Sequence, residues 1–158
     1  MNHLDKAVRV LVFEEGYREV AYYCSEGYPT IGIGQKIGPR NAPLDNYQFA
    51  LPLEVAEVWC KENIKNIDRE LIEYSFYNKQ NADVRAILLS MAYQLGISGL
   101  LRFKKMLAAL ERGELSAAAF EAKDSRWYQQ TPKRAERHAR AIALGELSAI
   151  AEYKKLID

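Results

Sequence analysis

A chain of 158 residues has room for one compact unit, and a hydrophobic share of 49% is enough to give it a core. Charged residues make up 27% with a net charge of +1, which argues against a nucleic-acid specialist and against a disordered, charge-rich tail. Its two cysteines, Cys24 and Cys60, make no disulfide framework, and free thiols in a reducing cytoplasm fit this usage.

In chain order, Leu4, Ala7 or Val8, Leu11 and Val12 recur at helical spacing, which predicts a helix from about 3 to Glu15 with Gly16 as its stop. Charges at Asp5, Lys6 and Arg9 interrupt the apolar residues, so no signal-peptide core is expected here and no membrane span anywhere. Residues 17–34 change to strand formers around a Ser25-Glu26-Gly27 turn, which predicts a small hairpin. Gly32 and Gly34 lie in its second strand and point to a bend or to close approach by a ligand or another backbone.

Residues 35–52, with Gly38, Pro39, Pro43 and Pro52, read as a loop holding a short strand near 35–37. Pro52 suits the first turn of a long helix whose apolar stripe is Val55, Val58, Trp59, Ile64, Ile67 and Leu71. A second helix over about 82–95 is apolar over a wide face and reads as the core helix. Helices at about 100–111, 114–123, 132–144 and 146–156 follow, separated by Gly113 and Gly145 and by the loop-like run from Arg126 to Thr131. Thr131 is a suitable N-cap and Pro132 a suitable first helical residue. The expected fold class is α+β, mainly α: a small β-hairpin lobe (about 14–52) joined by a long helix to a helical lobe (about 53–158 with the N-terminal helix).

Chemistry concentrates in residues 13–34. Eight residues separate Glu15 from Cys24, and five separate Cys24 from Thr30. An acid at a helix end, a thiol at a hairpin turn and a hydroxyl on the return strand could face one another across a cleft. Such a set suits acid-assisted cleavage of a glycosidic bond with a water on the far side. The C-terminal end of a helix dipole also favours the protonated form of Glu15. The plainer readings stand beside this one: Glu14 and Glu15 as solvated charges, Cys24 as an inert thiol, Thr30 as an ordinary strand residue. Cys60, after Trp59 on a helix, reads as packing.

Thr30-Ile31-Gly32-Ile33-Gly34 is no nucleotide loop, because Ile37 stands where a dinucleotide fingerprint needs its third glycine and no Walker lysine follows. His3 and His138 lie in no ligand-spaced cluster, so no metal is expected. The basic run Lys133–Arg140 reads as a solvated helix face; attraction to an acidic polymer or to nucleic acid is the alternative.

Three blocks carry a more specific signal: Glu15-Gly16 with Gly27-Tyr28-Pro29-Thr30-Ile31-Gly32-Ile33-Gly34, then Leu89 to Gly96, then Ser125 to Ala135. Together and in this order they resemble the phage-type lysozyme (endolysin) family, glycoside hydrolase family 24. The resemblance implies a muramidase that cuts between N-acetylmuramic acid and N-acetylglucosamine in peptidoglycan, with no cofactor. It implies Glu15 as general acid, Thr30 as the water-positioning hydroxyl and Cys24 at a second catalytic position, which the family pattern fills with aspartate or cysteine. It implies Arg134 as the residue holding the acid, and Tyr93 and Gln94 as sugar contacts. Lys36, Met106 and Glu121 fall at ligand-contact positions by ungapped counting, with residue types that differ from the family's; Gln35 replaces a histidine. The resemblance implies a host-cytoplasmic setting with access to the wall through a membrane-permeabilising holin, and a monomer is the default expectation.

Overall fold

The structure, a computed structural model, describes residues 1–158. Helix α1 (His3–Glu15) starts where the Asn2 side chain accepts from the Asp5 N–H at 2.9 Å and stops at Gly16, whose φ of +72° closes the last turn. Strands β1 (Arg18–Tyr23), β2 (Pro29–Gly32) and β3 (Gln35–Lys36) form an antiparallel sheet in that order. Tyr22 pairs with Thr30, and Thr30 with Lys36, so these three side chains share one face of the sheet. The 37–52 segment is no free loop: it carries a short 3-10 turn at Leu44–Asn46 and straps the outer edge of β1, with the Leu51 N–H donating to the Glu19 carbonyl and a bridge between Val20 and Ala50.

Helix α2 (Leu53–Leu71) buries Ala56, Cys60, Ile64 and Leu71, spaced by four and then seven residues. The expected stripe is misplaced by about one position, since Val55 and Val58 are exposed. The small residues Ala56 and Cys60 lie on this buried face beside Ile64 and Leu71. Pro52 occupies the N-cap, one place ahead of the first turn. Two short helices were not anticipated: α3 (Ser75–Asn78), and a turn within the segment read as a loop before Pro132.

Helix α4 (Ala82–Leu101) is capped by Asn81 and broken at Gly96, whose φ of +77° and ψ of 160° leave the helical region. Its residues Ala86 to Ala92 are all buried, as the wide apolar face foretells. Contrary to the expectation that no stretch could span a membrane, α4 has the length and a mean hydropathy of 1.4. The reason is its position as the core helix, packed between α1 and α2 and against α8 (Pro132–Leu144). Helices α5 (Lys104–Glu111), α6 (Leu115–Lys123) and α7 (Arg126–Gln130) lead to α8, which ends at Gly145 in the left-handed conformation; α9 (Ala151–Ile157) then returns onto α1. Thirty-three buried residues form one apolar cluster, drawn mostly from these helices and reaching Ile33 beneath the sheet.

Candidate active site

Glu15 is the last residue of α1, so its carboxyl leaves the helical body and faces the sheet. Arg134, in the first turn of α8 and 8% exposed, donates through Nη1 to Glu15 Oε1 at 2.7 Å. The other carboxylate oxygen lies against Gly34. A Cβ at that position would stand 2.8 Å from Oε2, and φ there is +66°. Glycine is therefore required twice over, for backbone conformation and for space. Gly34 lies in the turn after β2 and not within the strand, and what approaches it is the Glu15 side chain, not a ligand or another backbone.

The neighbouring Glu14 is not a solvated charge. Its side chain is 2% exposed; it accepts from Arg137 Nε and Nη2, both at 2.8 Å, and from the Tyr153 hydroxyl at 2.5 Å. The partnership with Glu14 holds the Arg137 guanidinium well above its ordinary pKa. Nor is Lys133–Arg140 a solvated face: Arg134 and His138 are buried and Arg137 is half-buried, leaving Lys133 and Arg140 in solvent. Sequence periodicity missed this because arginines paired across the fold look like any charge run.

Cys24 sits half-buried just past β1, in the turn closed by the Gly27 N–H on its carbonyl at 2.9 Å. Burial pushes the thiol up, but backbone groups at Tyr28 and Glu26 and the Lys36 charge are among the influences that outweigh it, and the net effect lowers its pKa. Thr30 is 2% exposed, and its hydroxyl donates to the Tyr28 carbonyl at 2.8 Å, leaving oxygen lone pairs free. Lys36 lies 4.3 Å over the Tyr28 ring, with Glu26 3.6 Å from its ammonium.

Glu15, Cys24, Thr30, Lys36, Tyr93 and Gln94 all line one cleft of about 700 Å³. Tyr93 on α4 donates to the Ile33 carbonyl at 2.6 Å and so braces the cleft floor against the sheet. Met106 and Glu121 do not face Glu15. They line a second groove of about 610 Å³ together with Arg102, Lys104, Lys105 and Arg126, and Met106 is only 1% exposed. The two spaces adjoin where Trp127 Nε1 donates to Gln94 Oε1 at 3.0 Å.

Several lining residues escaped the sequence reading. Tyr22 lies across the sheet from Thr30, and burial together with the Glu15 charge raises its pKa. Trp59, Asn63 and Asn66 form a polar-aromatic face of α2 at i, i+4 and i+7. That spacing was legible, but Trp59 had been assigned to the apolar stripe. Gln35 donates nothing: its Oε1 accepts from the Ile33 N–H at 2.6 Å, and its buried Nε2 has no partner. Cys60 packs at 0% exposure, and burial pushes its thiol to about 12.

The sequence profile of the phage lysozyme family matches residues 13–140. The chain is 29% identical over 167 residues to a protein named probable T4-type lysozyme 2 from Dictyostelium discoideum, covering 92% of this chain and 96% of that one. It is 28% identical over 156 residues to the pre-baseplate central spike protein Gp5 of Enterobacteria phage T4, covering 86% of this chain but 27% of the spike protein. It is 29% identical over 132 residues to the peptidoglycan hydrolase gp36 of Pseudomonas phage phiKMV, covering 82% of this chain and 14% of that protein. This chain therefore spans a small part of the two phage proteins and almost all of the Dictyostelium one. A profile match running from the end of α1 into α8, and so across every strand and the whole cleft, means that the chain belongs to the phage lysozyme family.

Proposed function

We propose that this chain is a muramidase that hydrolyses the β-1,4 bond between N-acetylmuramic acid and N-acetylglucosamine in peptidoglycan, with Glu15 as the general acid. The observation that carries this reading is that Glu15, tied to Arg134, opens onto the same cleft as Cys24 and Thr30. Arg134 occupies Oε1, so Oε2 is the oxygen that carries the proton to the leaving group. Cys24 and Thr30 hold a water on the opposite face of the sugar. The water oxygen bonds to the anomeric carbon as the glycosidic bond breaks. The Glu15 proton goes to the leaving oxygen, and a water proton goes to the Cys24 sulfur. A lowered thiol pKa suits that last transfer, because a neutral thiol is a poor base.

Tyr93, Gln94 and Lys36 are the sugar contacts in this reading. The adjoining groove with Met106 and Glu121 carries four cationic side chains, which suits the carboxylates of cell-wall peptides. Residues 1–158 act as a single lysozyme unit, monomeric and without cofactor. Its biological role is lysis of a bacterial host, with a holin admitting it from the cytoplasm to the wall.

Turbidity clearing of outer-membrane-stripped Gram-negative cells tests the activity; a fold-bearing relative without catalysis would leave the suspension cloudy. NMR of the first product tests the route. Inversion is expected. A retained anomer would mean that the Cys24 thiolate attacks the sugar directly and that the water-holding role is wrong.

A further inference from the structure

Behind Glu15 lies a chain of buried polar groups that hydrolysis as described does not use. Arg134 Nη2 donates to Ser90 Oγ at 3.1 Å and to the Ser90 carbonyl at 3.3 Å. Ser90 Oγ lies 2.8 Å from His138 Nε2, His138 Nδ1 lies 2.8 Å from the Tyr153 hydroxyl, and that hydroxyl reaches Glu14 at 2.5 Å. Ser90, His138 and Tyr153 are each 0% exposed. We propose that His138, with Ser90 and Tyr153, is a positioning residue for the general acid: a hydrogen-bond relay of fixed direction that locks the Arg134 guanidinium onto Glu15. This inference rests on reading Glu15 as the acid.

The direction of the relay follows from its ends. Glu14, ion-paired to Arg137, can only accept, so Tyr153 donates to it. Tyr153 then has no proton left for His138, so Nδ1 carries the hydrogen and donates to Tyr153. In a neutral ring Nε2 must accept, so the Ser90 hydroxyl donates to it. Ser90 Oγ is thereby left as an acceptor, and the guanidinium, which can only donate, supplies the bond. Each group has one role, and no link can reverse unless its neighbour does.

A protonated ring would place a hydrogen between Nε2 and Ser90 Oγ and force the serine hydroxyl to turn away. The surroundings oppose this. The ring is buried; Arg134 and Arg137 on its own helix repel a second cation; α4 presents Ser90, α9 presents Tyr153 and, beyond it, α1 presents Glu14; and Trp127 of α7 packs on it at 5.9 Å between centroids. Burial first, then the two arginines, hold its pKa well below the ordinary histidine value. With Nη2 pinned to α4, Nη1 is left to face Glu15 alone.

The test compares Ser90→Ala, His138→Leu and the double variant on purified peptidoglycan, with Glu15→Gln in parallel. Each single variant is expected to lose tenfold or more in kcat with KM little changed. The loss should fall on kcat and not on KM, because an acid no longer held in one orientation meets the leaving oxygen less often while the sugar contacts stay intact. The double variant should fall no further than the worse single one, since both cut one relay. Unchanged kcat in Ser90→Ala and His138→Leu, or a loss that falls on KM instead, with Glu15→Gln inactive, would overturn the relay alone. An active Glu15→Gln would instead overturn the reading of the acid. Should His138→Leu fail to fold, Ser90→Ala and the wild-type protein decide: 15N NMR at pH 5 should show a neutral ring protonated at Nδ1, and a cation or the Nε2–H tautomer overturns the proposal.

Discussion

The two walls of the cleft are built by opposite means. On the acid wall, Glu15 is held by a residue 119 positions away, and Glu14 by residues 123 and 139 positions away. On the hairpin wall, Cys24 and Thr30 are held by backbone groups two to four residues distant, within a single turn. The acid wall is a tertiary construction that exists only when α1, α4, α8 and α9 are all docked. The hairpin wall is local, and its thiol is half open to solvent. Under the proposed mechanism, a carboxyl that holds one oxygen toward a leaving group benefits from the first kind of support, and a thiol and hydroxyl that hold a water need only the second.

Removing the acid is the severest way to break the comparison. Glu15→Gln keeps the side chain's shape and a hydrogen bond from Arg134, and should lower the lysis rate by about 10³-fold, within the range for general acid catalysis. The far-ultraviolet circular dichroism should be unchanged. Next comes Glu14→Ala, which leaves Arg137 and Tyr153 without their partner. Breaking such a buried pair costs about 3 kcal/mol, a fall in Tm of roughly 6–12 °C for a chain of this size. Calorimetry reads it directly; a loss within error would mean that Glu14 is not structurally tied to α8 and α9.

The hairpin wall should answer differently, losing rate without losing stability. Cys24→Ser should slow lysis roughly a hundredfold with little change in Tm, while Cys24→Asp restores a basic group and remains active. Alkylation of Cys24 in a Cys60→Ser background should inactivate the enzyme. Because the thiol pKa is lowered, thiolate appears at lower pH than in a free cysteine, so the alkylation rate should rise with pH earlier than for a model thiol. Gly34→Ala sharpens the comparison where the walls meet. The left-handed φ should cost about 1–2 kcal/mol. The added methyl, 2.8 Å from Glu15 Oε2, should displace the acid and lower the rate roughly tenfold. Equal activity of Gly34→Ala and wild type would show that the acid tolerates movement.

This asymmetry also explains what the sequence disclosed. The hairpin, the Glu15–Cys24–Thr30 spacing and the ends of α1 and α8 are set by residues near one another in the chain, where glycine and proline are legible, although Thr131 turns its hydroxyl back to the Trp127 carbonyl and does not cap α8. The pairing of Arg134 with Glu15 was available only through resemblance to a family. Nothing local marks Glu14 as buried, or tells His138 from a surface histidine in a basic run, because their partners come from distant helices. On α2 the error was one of weighting: Ala56 and Cys60 face the core because they are small, and a search for large apolar side chains favours Val55 and Val58.

The smallest effect on stability comes from protonation of the His138 ring and appears only as pH is varied. In the unfolded chain this imidazole takes a proton near its ordinary pKa of about 6.5, whereas in the folded protein burial and two arginines hold its pKa well below that. Between those two values the unfolded state binds more protons than the native one, so stability falls as the pH drops below about 6.5. The slope contributed by one such group is at most ~1.4 kcal/mol per pH unit. His138→Leu should remove that component, so that the difference in unfolding free energy between wild type and variant, measured in urea at a series of pH values, shrinks on acidification. A difference that stays constant from pH 7 to pH 5 would mean that the ring is protonated alike in both states, and the acid wall would then have at its centre a cation rather than a neutral donor–acceptor.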